Sequence, residues 1–224
     1  MPTDETGGAR RDSKALIPVL ITDPDERAAR EVENGFRQLR KVEEAVEYYR
    51  DPERPFRLRP SLILSLHREA LDGISSFAGN TRPGPVEIQN SRHVPPSAHL
   101  VHELVEDMCD YVNSNLETAT SIHLAAYLMW RLNWIHPFDD GNGRTSRAIS
   151  YLVLCVKLGG SLPGLKTIPD YIVDKRGPYY DAIEAADAAE REGRLDVTAM
   201  EGLLDQLLQQ QLDSIARRAR EARI

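Results

Sequence analysis

The 224-residue sequence has only two cysteines, few aromatic residues and no excess of positive charge. Cys109 and Cys155 sit among apolar neighbours, which suits reduced core thiols better than a disulfide and points to a cytoplasmic setting. No uninterrupted apolar run approaches the ~20 residues needed to span a bilayer. The 28 Lys and Arg residues against 35 Asp and Glu leave a formal charge of −7, so direct binding to nucleic acid or to an acidic membrane is not expected. The first fourteen residues are polar and mixed in charge, without the apolar core of a secretory signal. Internal repeats, domain-sized linkers and sustained strand alternation are also missing. A soluble, mostly helical, single-domain protein is therefore expected, with residues 1–15 as a flexible tail and 16–224 as the domain.

What the chain does contain is helical periodicity. Asp23-Pro24-Asp25 suits a helix start, and Val32, Phe36, Leu39, Val42 and Val46 predict one apolar stripe on a helix of about 24–50. Pro52 and Pro55 end it. A second helix is expected over 60–72, with Leu62, Ile63, Leu66 and Leu71 facing inward. The stretch 79–96 changes character, with four prolines and two glycines around Val86-Glu87-Ile88. A small hairpin is expected there, turning at Gln89-Asn90-Ser91 and returning through Arg92-His93-Val94. Helical spacing resumes after Pro96. A segment from Ser121 to Trp134 is apolar nearly all round and belongs at the centre of a bundle. Further helices are predicted after Gly143, over 179–192, and from Asp196 to about Ala222, where exposed apolar residues could mediate self-association. His99 and His102 are three apart with no evident third ligand and read as surface or capping residues; His123 reads as a hydrogen-bonded core residue.

Chemistry concentrates in His136-Pro137-Phe138-Asp139-Asp140-Gly141-Asn142-Gly143-Arg144-Thr145-Ser146-Arg147. The helix after it carries Ile149, Leu152, Val153 and Val156 at helical spacing, so the turn should sit at a helix start. Gly141 and Gly143 permit backbone angles closed to other residues, and their N–H groups could face a phosphate beside the positive helix end. Arg144 and Arg147, three apart, can converge on one anion. Asp140 would repel bare phosphate but attract it through a divalent cation. His136 is the residue type suited to accept a proton near neutrality. Together these suggest attack by a hydroxyl on a metal-bound nucleotide phosphate.

The run resembles the signature of the Fic family, HPFx(D/E)GN(G/K)RxxR, at every specified position, and the likeness extends over roughly Leu16 to Leu212. It implies an all-α, Fic-type helical bundle with a small β-hairpin flap (about 82–95), an N-terminal candidate inhibitory helix (about 24–50) and the core motif 136–147. The activity implied is protein adenylylation: AMP passes from Mg2+-bound ATP to a Ser, Thr or Tyr hydroxyl of a target protein, with release of pyrophosphate. On this resemblance His136 is the base, Asp140 holds Mg2+, Gly141, Asn142 and Gly143 form the anion turn, Arg144 and Arg147 meet the β- and γ-phosphates, and Phe138 fixes the turn from the core. Gly143, rather than Lys, matches the AMP-transferring branch. Tyr179 and Tyr180 match an aromatic pair beside the adenosine, and Asp187 stands where some relatives have a contacting Asn. Val86, Glu87 and Ile88 match the flap edge that holds the target, with Ile88 as the clamp. Ala29-Arg30-Glu31-Val32-Glu33-Asn34 resembles an inhibitory pattern, with Ala29 replacing its hydroxyl residue; Glu33 is then expected to pair with Arg147. Other activities compatible with the resemblance are removal of AMP at the same site and a non-catalytic interaction role.

Overall fold

The computed structural model describes residues 11–14 and 20–221. Its eight α-helices are α1 (Pro24–Tyr49), α2 (Pro60–Leu71), α3 (Val101–Ser114), α4 (Ser121–Ile135), α5 (Asn142–Lys157), α6 (Ile168–Asp174), α7 (Arg176–Arg191) and α8 (Thr198–Glu221). Two short strands accompany them, β1 (Ser13–Lys14) and β2 (Glu87–Ile88). Residues 1–10 and 15 of the expected tail, and Ala222 at the expected end of the last helix, lie outside the described residues. No described helix is long and apolar enough to cross a membrane.

The centre is α4 packed along α5. Leu124, Leu128, Leu132 and Ile135 of α4 and Ile149, Leu152 and Val153 of α5 are completely buried. Each such side chain stabilises the fold by about 1.5–3 kcal/mol, so this pair is firmly fixed. Cys109 and Cys155 are free thiols within the same core. His123 is hydrogen-bonded, to Tyr111 at 2.8 Å and to Glu201 at 2.5 Å, but its side chain is 28% exposed rather than in the core. The loop 136–141 that joins α4 to α5 therefore stands on the most rigid part of the molecule.

Helix α1 starts where the sequence places it, because Asp23 Oδ1 accepts hydrogen bonds from the Asp25 and Glu26 N–H groups. Its expected apolar stripe is only half correct. Val42 and Val46 are buried, but Val32 and Phe36 are 62% and 67% exposed. The first half of α1 instead buries Asn34 and Gln38. Asn34 Nδ2 donates to the Asp72 carbonyl at 2.8 Å and Gln38 Nε2 to the Leu66 carbonyl at 3.0 Å. These amides tie α1 to the carbonyls of Leu66 within α2 and of Asp72 just past its end, so the face that α1 turns to α2 is polar there. Helix α6 was not expected; Asp170 secures its start by accepting from the Thr167 N–H at 2.8 Å.

The predicted hairpin is also corrected. Glu87–Ile88 is a strand, but 92–94 does not return beside it. The partner is β1, antiparallel, with Ser13 opposite Ile88 and Lys14 opposite Glu87. The Gln89 N–H extends the pairing to the Asp12 carbonyl at 2.9 Å. Pro95 and Pro96 supply no N–H for a return strand, and His93 is engaged elsewhere, with Nε2 on the Trp134 carbonyl at 2.7 Å. Residues 11–14, expected to be tail, are thus part of the folded structure.

Candidate functional site

A cavity of about 420 Å³ opens over the loop 136–141 and the first turn of α5. Among the residues that line it are His136, Asp140, Gly141, Asn142, Gly143, Arg144, Arg147, Tyr179 and Tyr180, together with Ile88 of the flap. The fold therefore gathers most of the residues singled out in the sequence. Val86 and Glu87 do not line the cavity; Val86 is half-buried and exposed Glu87 belongs to the pairing edge of β2.

His136 ends α4 in a left-handed conformation, φ 50° and ψ 58°, unusual for a residue with a side chain. That turn aims the ring into the cavity. Its Nδ1 lies 3.2 Å from the Asn133 carbonyl, which can only accept, so the proton sits on Nδ1 and Nε2 carries the lone pair. Burial lowers the imidazole pKa to about 4; the bond to Asn133 opposes this and the nearby Arg82 adds to it. The ring is therefore neutral at neutral pH and able to accept a proton at Nε2.

The loop beyond is held from within. Asn142 Oδ1 accepts from the Phe138 N–H at 3.0 Å and its Nδ2 donates to the Phe138 carbonyl at 2.9 Å. The Asn142 side chain thus closes the turn. Phe138 is fully buried, as expected, and stacks on His67 with ring centroids 3.7 Å apart. His67, on α2, gave no signal in the sequence. Its Nδ1 accepts from the Gly79 N–H and its Nε2 donates to the Asp140 carbonyl, both at 3.0 Å. Burial lowers its pKa to about 4 and so preserves the neutral ring that this pattern needs. Arg82 was missed for the same reason. Its Nε donates to the His136 carbonyl at 2.8 Å, and its other nitrogens bind the Gly84 and Pro96 carbonyls, tying the flap base to the loop.

Gly141 caps α5 at φ 77°. A Cβ there would fall 2.2 Å from Leu71 Cδ2 and 3.3 Å from His67 Cδ2. Leu71 is fully buried and cannot withdraw freely. Gly141→Ala should cost about 2–5 kcal/mol, combining left-handed strain with overpacking. Denaturant melts would measure this, and adding Leu71→Ala should recover part of the loss; strict additivity of the two would count against the clash.

Charges in the cavity are unevenly matched. Asp140 Oδ2 lies 2.8 Å from Arg27 Nη2 and 3.0 Å from Arg144 Nη2, and Oδ1 accepts from the Gly141 N–H at 2.5 Å. Burial opposes ionisation of Asp140, but Arg144, the Gly141 N–H and Arg27 together hold its carboxyl below the usual carboxylate range. Glu31 on α1 approaches Arg144 Nη1 at 3.4 Å and Arg27 Nε at 3.2 Å. The expected pairing of Glu33 with Arg147 is not formed. Glu33 is exposed and lies 3.7 Å from Arg30, because residues two apart on a helix project about 200° apart and α1 turns Glu31 toward the site. No described carboxylate lies within 4.0 Å of Arg147, and burial pulls its guanidinium below its usual value. A cavity-facing cation of this kind invites an anion.

The tyrosine pair divides its work. Tyr179 is buried and its hydroxyl accepts from Asn133 Nδ2 at 2.8 Å. Tyr180 faces the cavity mouth with the Arg11 guanidinium 4.4 Å over its ring. Asp187 lines the cavity and accepts from Trp130 Nε1 at 2.9 Å.

This architecture is known. Residues 57–154 match the Fic/DOC family. It is 32% identical over 126 residues to protein adenylyltransferase fic-1 of Caenorhabditis elegans, covering 55% of this chain and 23% of that protein. It is 38% identical over 96 residues to protein adenylyltransferase Fic of Drosophila willistoni, covering 41% and 18%. The chain therefore spans less than a quarter of the length of these curated relatives. Among solved structures, C. elegans Fic-1 (residues 134–508, E274G) aligns with a TM-score of 0.69 at 24% identity, over 90% of this chain and 56% of that one. A Fic domain-containing signaling protein from Bacteroides thetaiotaomicron aligns at 0.67 and 19%, over 88% and 73%. The fold is the all-α Fic fold.

Proposed function

We propose that this domain transfers AMP from ATP to a Ser, Thr or Tyr hydroxyl of a protein, releasing pyrophosphate. The observation that carries the reading is a neutral His136, base-competent at Nε2, sharing one cavity with a cation, Arg147, that has no described carboxylate partner. The names of the curated relatives, protein adenylyltransferases, support the same chemistry.

His136 Nε2 takes the proton of the incoming hydroxyl. Arg147 and Arg144 hold the phosphates that leave, and the Asn142 and Gly143 N–H groups at the start of α5 add fixed dipoles beside them. Catalysis is then largely positioning and charge stabilisation, as for phosphoryl transfer generally. Asp140 fits Mg2+, since its surroundings keep it ionised and this cation is usually held by one or two carboxylates with the rest of its shell from phosphates and water. When bound, Mg2+ would neutralise phosphate charge. The flap edge at Ile88 would hold the target backbone by strand pairing. Tyr180 would lie beside the nucleoside. The free buried cysteines suit a reducing, cytoplasmic compartment.

Helix α1 restrains the site through Arg27 and Glu31. In this arrangement Arg27 occupies the carboxylate proposed for Mg2+, and Glu31 neutralises part of Arg144. Incubation with α-labelled ATP and Mg2+ tests both the activity and the restraint. Label should be retained on protein, and Arg27→Ala or Glu31→Ala should raise transfer several-fold at limiting Mg2+, whereas Glu33→Ala should not. Equal rates in all four proteins would remove α1 as a restraint, and absence of transferred label from all of them, with ATP bound, would remove the activity.

A further inference from the structure

The segment 11–14 lies where a target should lie. β1 adds to the free edge of β2, Ser13 faces Ile88, and the Gln89 N–H donates to the Asp12 carbonyl. Beside the strand, Arg11 stacks over Tyr180, binds the Glu184 carboxylate and donates its backbone N–H to the Tyr180 hydroxyl. Between these anchors Ser13 Oγ stands 2.8 Å from His136 Nε2. With the ring proton on Nδ1, that contact runs from the serine O–H to the Nε2 lone pair, the arrangement in which a base removes a proton. A serine needed only to stabilise the tail would have no reason to meet this atom, since the strand bonds and Arg11 already hold the segment.

We propose that Ser13 is an acceptor, so that the domain adenylylates its own N-terminal segment in cis; the proposal rests on the AMP-transfer reading above. Ser13 Oγ attacks the α-phosphorus of ATP, forming the Oγ–P bond as its proton passes to His136 Nε2. The bond from that phosphorus to the bridging oxygen breaks, and pyrophosphate leaves with the electron pair. The bulky anionic product can no longer place a hydroxyl on His136, so reaction at Ser13 ends occupancy of the acceptor position by this residue. The anchors also define a substrate preference: a hydroxyl residue in an extended segment with an arginine two positions before it, read by Tyr180 and Glu184.

The test uses the full chain with ATP and Mg2+, followed by peptide mass spectrometry. AMP should be found on Ser13, with the fraction of chains modified per unit time independent of chain concentration, and Arg11→Ala should slow it several-fold. Ser13→Thr should keep the modification and Ser13→Ala should lose it. The Ser13→Ala chain should modify an added peptide of residues 9–16 faster than wild type does, because its acceptor position lacks a competing hydroxyl. AMP on other residues of the chain or on added proteins, with Ser13 unmodified, would overturn this proposal and leave AMP transfer standing. A fraction modified per unit time that rises in proportion to chain concentration would overturn reaction in cis. If no residue of any protein acquires AMP while ATP binds, the AMP-transfer reading fails first. Without nucleotide, the Gln89 amide should exchange slowly in wild type and faster in Ser13→Pro; equal fast exchange in both would show that β1 does not dock.

Discussion

Replacing His136 with Ala should lower AMP transfer by about 10²–10⁴-fold, the usual contribution of a positioned base, while ATP affinity changes little. The reason lies in how the side chain is placed. His136 binds Asn133 through Nδ1 and offers Nε2 to the acceptor hydroxyl, whereas the groups assigned to phosphate, Arg144 and Arg147, stand on α5. The loop should survive the change, since Asn142 closes it on Phe138 and Arg82 binds the backbone of residue 136 rather than its ring. Single-turnover transfer with calorimetric ATP titration would separate the two effects. An equal loss of ATP affinity would mean that His136 acts in binding and would sink its assignment as the base. The acid limb of kcat/KM provides a second check. Burial lowers His136 to about 4, so the rate should stay flat through pH 6.5, where an ordinary histidine gains its proton, and decline only as pH approaches 4.

Acid should destabilise the protein between pH 6.5 and pH 4, well before most carboxylates are neutralised. His67 and His136 both have pKa values lowered to about 4 by burial. In the unfolded chain each takes up a proton near pH 6.5, whereas in the folded protein neither does so until about pH 4. Between these values the unfolded state binds more protons, so stability falls as pH falls. The loss should reach about 2 kcal/mol for each histidine at pH 5, or about 4 kcal/mol together, and about 3 kcal/mol each at pH 4. Above pH 6.5 the two contribute no pH dependence. Urea midpoints at pH 7.5 and pH 5 would measure the difference. His67→Gln should flatten its share of the slope although it lowers stability at pH 7.5, where it forfeits the stack on Phe138 and the bonds to Gly79 and Asp140. Equal stability at the two pH values would show that these rings are not buried as neutral groups.

Much of this site is legible in the sequence because its residues are consecutive. A left-handed helix end, a glycine at φ 77° and the first turn of α5 fall within a few positions, so spacing alone predicts that His136, Asp140, Arg144 and Arg147 converge. The starts of α1 and α5 and the central burial of α4 are equally local properties, set by caps and periodicity. Adjacent glycines also mark where backbone must turn and where N–H groups can face an anion.

Other features depend on contacts between residues far apart in the chain. His67 is 73 residues from the Asp140 carbonyl it supports, and Arg82 is 54 residues from His136; a lone histidine on an apolar helix carries no sign of either role. Whether Glu31 or Glu33 faces the site depends on the rotation of α1 about its axis, which Gln38 and Asn34 fix by binding the carbonyls of Leu66 in α2 and of Asp72 just past it. The pairing of Ser13 with Ile88 leaves no local signature, because each strand has only two residues and its partner lies far along the chain. The helical class, the central pair of helices and the grouping of reactive side chains at residues 136–147 follow from periodicity and local turn geometry and are therefore legible along the chain. Which acid of α1 faces Arg144 and which hydroxyl meets His136 Nε2 are set by how separate elements pack, and so are visible only in the folded chain.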